Sequence, residues 1–238
     1  MKLKYFSAFE RSAQLLSSYN DVHFNSKSGV EGKYCLHFHK IHDCPTCLFK
    51  NNAIEGSHQR GIIIHGTHSS TVEENVLYNV RGAGIYVEDG NEMYNEIKYN
   101  AVICPFPFSD DTLHGCTVPG TSGRIADTSD NQSGIFIRAA TNSLVGNRVS
   151  NSFNGMLLKA GSIGRGASYD KVCESAAKLA RYEGNTFHGN GRFGTYTLGK
   201  PATLIFAINL HSSSLLKSSW CVISSKDSTM RNLQTSPS

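Results

Sequence analysis

The sequence predicts an all-β fold: a right-handed single-stranded parallel β-helix (solenoid) of about five to six coils, with loop insertions and one short helix. Three observations predict it. Five segments share an Asn in a short strand followed, eight or nine residues later, by Gly, three mostly apolar residues and a polar one. Where no insertion intervenes the repeat recurs every 21 to 25 residues, as one coil of a parallel β-helix requires. The pieces are β-rich with Gly and Asn at the corners, and no Leu-x-x-Leu-x-Leu frame points to a leucine-rich repeat instead.

Taken in order, residues 1–33 are expected to form a flank with an incomplete coil, 34–199 the β-helix and 200–238 an off-repeat tail. "YCLHFH" opens the regular part. The Asn–Gly pairs are then Asn52 with Gly61, Asn75 with Gly84, Asn100 with Gly134, Asn147 with Gly155 and Asn185 with Gly194. The five Asn residues fall at one corner and are expected to stack as a hydrogen-bonded ladder. The third repeat is interrupted by "CPFPFSDDTLHGCTVPGTSGRIADTSDNQ", expected to wall one side of a groove. "YDKVCESAAKLARY", Tyr169 to Tyr182, has apolar residues at helical spacing and is expected to be a short helix packed on the solenoid.

Strand side chains alternate in direction, so each apolar triplet divides into two faces. With its first and third residues inward, the core columns read Leu36, Ile62, Ile85, Ile135, Met156 and Phe38, Ile64, Val87, Ile137, Leu158. The outward columns read His37, Ile63, Tyr86, Phe136, Leu157 and His39, His65, Glu88, Arg138, Lys159. The opposite register would bury five ionisable groups at several kcal/mol each. An ionisable column beside an exposed aromatic strip, Tyr86 and Phe136, suits sugar rings and proton transfer.

Composition excludes other classes. A net charge of +4 without basic clustering gives no nucleic-acid surface, and no apolar run is long enough to insert this chain in a membrane. "MKLKYFSAFERSAQLL" has no apolar secretion signal. Of the seven cysteines, Cys44 and Cys47 form a CxxC read as a loop disulfide or free thiols, and Cys104 and Cys116 bracket a loop and can pair in a secreted protein.

At "YCLHFHKIHD", "RGIIIHGTHSSTVEENVLYNVRGAGIYVEDGNEMYN" and "YEGNTFHGNGRFGTY", across Tyr34 to Leu198, the sequence resembles the β-helix domain of one known family. That family comprises the cell migration-inducing and hyaluronan-binding protein, the cell-surface hyaluronidase and fibrocystin-L. The resemblance implies an extracellular or cell-surface setting and an acidic polysaccharide partner such as hyaluronan, with depolymerisation in some members and a receptor-like role in others. By motif it carries over His37 and His39 from HFH, His65 and His68 from HGTH, and Glu88 and Asp89 from EDG as catalytic candidates. The insertion and the tail depart from the family pattern.

The chemistry expected of these residues is acid–base. His39 or His65 would act as base or acid, Tyr86 as proton donor and, with Phe136, as a sugar platform; Arg138 or Lys159 would hold a uronate. Glu88 and Asp89 are adjacent, so at least one is expected to point away from the groove unless it sits at a corner. A glycosidase or a polysaccharide lyase is the enzyme class; a non-catalytic β-helix module is the alternative. No cofactor is certain, and no metal site is assigned. A divalent metal held by His37, His39 and His65 is a rival use of the same rings.

Overall fold

The computed structural model describes residues 34–105, 116, 133–138, 140–160 and 180–198, with short strands at 6–8, 16–18, 21–23 and 216–217. The chain winds through successive coils of three short strands. They are β1 (Phe6–Ala8), β2 (Leu16–Ser18), β3 (Asp21–His23); β4 (Leu36–Asp43), β5 (Leu48–Lys50), β6 (Ala53–Glu55); and β7 (Ile62–His68), β8 (Thr71–Glu73), β9 (Val76–Tyr78). There follow β10 (Ile85–Val87), β11 (Glu96–Lys98), β12 (Ala101–Ile103); β13 (Ser133–Ile137), β14 (Ser143–Val145), β15 (Arg148–Ser150); and β16 (Asn154–Lys159), β17 (Tyr182–Glu183), β18 (Thr186–His188). β19 (Phe193–Leu198) and β20 (Leu216–Lys217) extend one sheet further.

Every strand pairs in parallel with its counterpart one coil away. Three sheets result: sheet A in the order β1-β4-β7-β10-β13-β16-β19-β20, sheet B in the order β17-β14-β11-β8-β5-β2, and sheet C in the order β18-β15-β12-β9-β6-β3. This is a parallel β-helix. Among the described residues it contains no helix. Thus 1–33 supplies one strand to each sheet and 200–238 supplies β20. Residues 169–179 of the expected helix lie outside the described residues, and Tyr182 at its end starts β17. Of the insertion, residues 106–115 and 117–132 also lie outside them.

Both core columns superimpose as the alternation requires: Leu36 pairs with Ile62, Ile62 with Ile85, Ile85 with Ile135 and Ile135 with Met156. Phe38, Ile64, Val87, Ile137 and Leu158 form the second stack in the same core, joined by Phe49, Ile54, Val72, Leu77, Ile97 and Val102 from sheets B and C. The repeat glycines are explained by the stacking itself. A Cβ at Gly84 would sit 2.6 Å from Val102 Cγ1 and 2.9 Å from the Gly134 carbonyl oxygen, so only glycine lets the coils close to this distance.

The Asn ladder is present, buried from Asn52 to Asn147 and partly buried at Asn185. Asn52 Nδ2 donates to Asn75 Oδ1 (2.8 Å), Asn75 to Asn100 (2.9 Å), Asn100 to Asn147 (3.0 Å) and Asn147 to Asn185 (2.9 Å). Each ladder residue follows a position of positive φ: Asn51, Glu74, Tyr99, Gly146 and Gly184. A second ladder, five residues earlier in the chain, joins Ser70, Asn95 and Asn142 at the corner between sheets A and B (2.7 and 2.8 Å). Two disulfides, Cys44–Cys47 and Cys104–Cys116, pin corners, and Cys35 is a buried thiol.

Candidate active site

Sheet A has two outward columns, and the structure treats them differently. His37, Ile63, Tyr86, Phe136, Leu157 and Tyr196 superimpose rung by rung. Tyr86 and Phe136 do point outward and stack at 4.4 Å. The expected exposed strip is corrected, however: both are buried, in a second apolar cluster with Tyr34, Ile63, Ala83, Leu157 and Tyr196. Alternation fixes the direction of a side chain and not what lies over it. The Arg60 guanidinium accounts for part of the cover, lying 3.6 Å from the Tyr86 ring centroid.

The ionisable column starts at partly exposed His39, which pairs in register with His65. A bulge follows immediately, between His39 and His42, with positive φ at Lys40, His42 and Gly66. Bulges re-aim side chains, and this one ends the regular pairing at the rung where the two histidines meet. β10 ends at Val87, so Glu88 and Asp89 stand on a corner, and their alternation is broken there. Both carboxylates then face one imidazole: Asp89 Oδ2 is 3.0 Å from His65 Nε2, and Glu88 Oε2 is 3.6 Å from His65 Nδ1. The corner exemption in the sequence reading is the case that applies.

Glu92 holds that corner in place, a role the sequence did not reveal. Buried completely, its carboxylate accepts the N–H groups of Gly66 (3.0 Å), Asp89 (3.0 Å) and Gly90 (2.8 Å). It therefore ties β7 to the turn carrying both acids. Arg60, also missed, donates to Tyr34 Oη (3.3 Å) and lies 3.9 Å from Glu88. The signal available in advance was position alone: Arg60 precedes the repeat glycine, and Glu92 follows Asp89 of EDG by three residues.

His37 is 3% exposed, and its Nε2 is 3.3 Å from His39 Nδ1. The ring centroids of His37 and His39 are 4.8 Å apart, those of His39 and His65 4.8 Å, and those of His37 and His65 6.0 Å. Three imidazoles from two adjacent rungs thus converge, with one carboxylate on each side of the third. His68 is placed elsewhere: at the end of β7 its Nδ1 accepts the Met93 N–H (3.2 Å). Arg138 directly follows β13 and is buried, whereas Lys159 ends β16 and is partly exposed; the pairing of the two strands runs to Ile137 and Leu158, one position before them.

Environment separates the titration of these groups. Burial, then the charges of His39, His65 and Arg60, lower His37 to about 3. Burial followed by the His65 and Lys40 charges also lowers His39, against the pull of Asp89. Burial would lower His65 as well, yet its bond to Asp89 and the charges of Glu88, Asp89 and Glu92 outweigh that and raise it. Burial raises Glu88 above the usual carboxylate range, with Arg60 and His65 offsetting only part. A neutral imidazole and one that favours its protonated form therefore stand side by side, an arrangement suited to moving a proton.

Fold and cluster together define a class: a parallel β-helix carrying a histidine–carboxylate site on one sheet face. Residues 22–195 match the CEMIP beta-helix family, and the chain belongs to that family. Among curated proteins it is 26% identical to Fibrocystin-L of Homo sapiens over 168 residues, 69% of this chain and 4% of that protein. It is 29% identical to a G8 domain-containing protein of Dictyostelium discoideum over 179 residues, 72% of this chain and 12% of the relative. Protein rliB of the same organism is 28% identical over 167 residues, 68% of this chain and 15% of the relative. The chain thus spans a small part of the length of the relatives it matches. Among the described residues no helix is long and apolar enough to cross a membrane.

Proposed function

We propose that this β-helix binds an acidic polysaccharide such as hyaluronan along sheet A and cleaves it at the histidine–carboxylate cluster, as an extracellular or cell-surface module. The observation that carries the reading is the convergence of Glu88 and Asp89 on the two sides of His65, beside His39. Asp89 fixes the orientation of the His65 ring and stabilises its protonated form. His65 then donates to the leaving glycosidic oxygen, and His39 or Glu88 takes the proton from the sugar carbon or from water. Exposed Lys40 and partly exposed Lys159 supply positive charge for a uronate. Two disulfides among the described residues suit an oxidising compartment.

The test is incubation of the purified chain with hyaluronan and related glycosaminoglycans across pH, followed by chain-length analysis and ultraviolet absorbance. Shortened chains are expected; absorbance of an unsaturated uronate marks elimination, and its absence from cleaved product marks hydrolysis. His39→Ala and His65→Ala are expected to abolish turnover while Asn147→Ala lowers only stability. Intact polymer under every condition, with retained binding, would establish a receptor-like module instead and overturn the catalytic reading.

A further inference from the structure

We propose that His37, His39 and His65 together bind one divalent first-row transition ion of the zinc type. Ligand nitrogens of the three rings all lie within 4.8 Å of one another. Imidazole nitrogens at about 2.0–2.1 Å from a tetrahedral ion stand roughly 3.4 Å apart. The His37 Nε2 to His39 Nδ1 separation of 3.3 Å already meets that requirement. His65 then needs to close by no more than about 1.4 Å, a movement within reach of side-chain rotation at a binding site.

The surroundings are those of a ligand set. Metal-bound histidine usually gives its second ring nitrogen to a carboxylate. His65 has Asp89 at 3.0 Å on Nε2, which leaves Nδ1, the atom nearer Glu88, for an ion. Three carboxyl groups, Glu88, Asp89 and Glu92, surround the site against Arg60 and Lys40, so with the imidazoles neutral, as ligands must be, the formal charge without an ion is negative.

The burial of His37 points the same way. The ring is only 3% exposed, and its Nε2 faces His39 Nδ1. Burying a polar ring costs free energy that an apolar residue here would not incur. An ion on Nε2 gives the imidazole a reason to be there. Nitrogen donors select zinc, cobalt, nickel or copper over magnesium, which prefers oxygen.

The inference is a rival use of the rings in the proposed active site, since an ion on His39 and His65 leaves neither ring free for the proton transfers given there, and it is tested without the substrate. The chelator-stripped chain would be titrated with Co2+ followed by its visible absorption, then with Zn2+ in competition, and with Mg2+ as control. One Co2+ per chain, displaced by Zn2+ and not by Mg2+, is expected. Asp89→Asn, which leaves all three rings in place, is expected to weaken binding about 10- to 100-fold. His39→Ala, at a partly exposed position, is expected to remove the absorption while circular dichroism is unchanged. No Co2+ absorption by the folded wild type, or binding indifferent to both substitutions, would overturn the site. Metal bound with hyaluronan intact retains it and sinks only the catalytic reading; hyaluronan cleaved by a chain that binds no Co2+ does the reverse.

Discussion

Replacing Asn100 with alanine tests the ladder that spaces the coils. Its side chain makes four hydrogen bonds in a buried setting. Nδ2 donates to the Val72 carbonyl (2.9 Å) and Asn147 Oδ1 (3.0 Å), while Oδ1 accepts from the Asn75 backbone N–H (3.0 Å) and Asn75 Nδ2 (2.9 Å). At about 1 kcal/mol net per bond the loss is about 4 kcal/mol, and more where a buried partner is left without a substitute. Asn185 is the control. It makes three side-chain bonds, to the Asn147 backbone and side chain and the Leu144 carbonyl, and it is only partly buried, so water replaces some of them. Its alanine variant should lose about 1–2 kcal/mol. Equilibrium urea unfolding followed by circular dichroism, with the m-value compared across variants, reads the difference directly. Equal losses for the two, or a loss below about 1 kcal/mol for Asn100→Ala, would show that the ladder is a consequence of coil stacking and not a support for it.

Two further outcomes follow from the packing and the surface charge. Gly84→Ala should destabilise by about 1–3 kcal/mol or more, because the added methyl meets the immovable Gly134 carbonyl as well as Val102; a thermal midpoint unchanged from wild type would contradict the close approach. On sheet B, Glu73 bonds Lys50 (2.7 Å) and Lys98 (3.2 Å) on the two flanking rungs. The Lys50 bond, against a burial cost and with help from Lys98, holds the Glu73 carboxyl below its ordinary value of 4.5. Its stabilising contribution is therefore present above that value and is lost as pH falls through the lower folded value. Glu73→Gln should flatten this acid limb of the stability profile, and added salt should shrink it in the wild type; an unchanged limb would refute the pairing.

The architecture was legible because a solenoid repeats its instructions. Asn75 and Asn100 or Gly61 and Gly84 declare the period, and the apolar triplets declare the inward face, with no knowledge of distant residues. The second ladder was equally available, since Ser70, Asn95 and Asn142 each precede a main-ladder Asn by five residues, but an insertion stretches the last step to 47 residues. The site was legible only in part. The column His39, His65, Glu88 follows from the same alternation, whereas the presence of Asp89 on it depends on a corner built by Glu92 and by Gly90 at φ 96. The cover over Tyr86 and Phe136 depends on contacts such as Arg60, set by tertiary packing and not by the repeat.

All members of the histidine–carboxylate cluster come from β4, β7 and the turn after β10, three consecutive floors of the same stack. The geometry of the cluster and the length of the solenoid are consequently uncoupled in this molecule. Coils can be gained or lost above β13 while the three floors keep their mutual spacing, so, under the proposed function, the track for a polymer would lengthen without retuning the cluster.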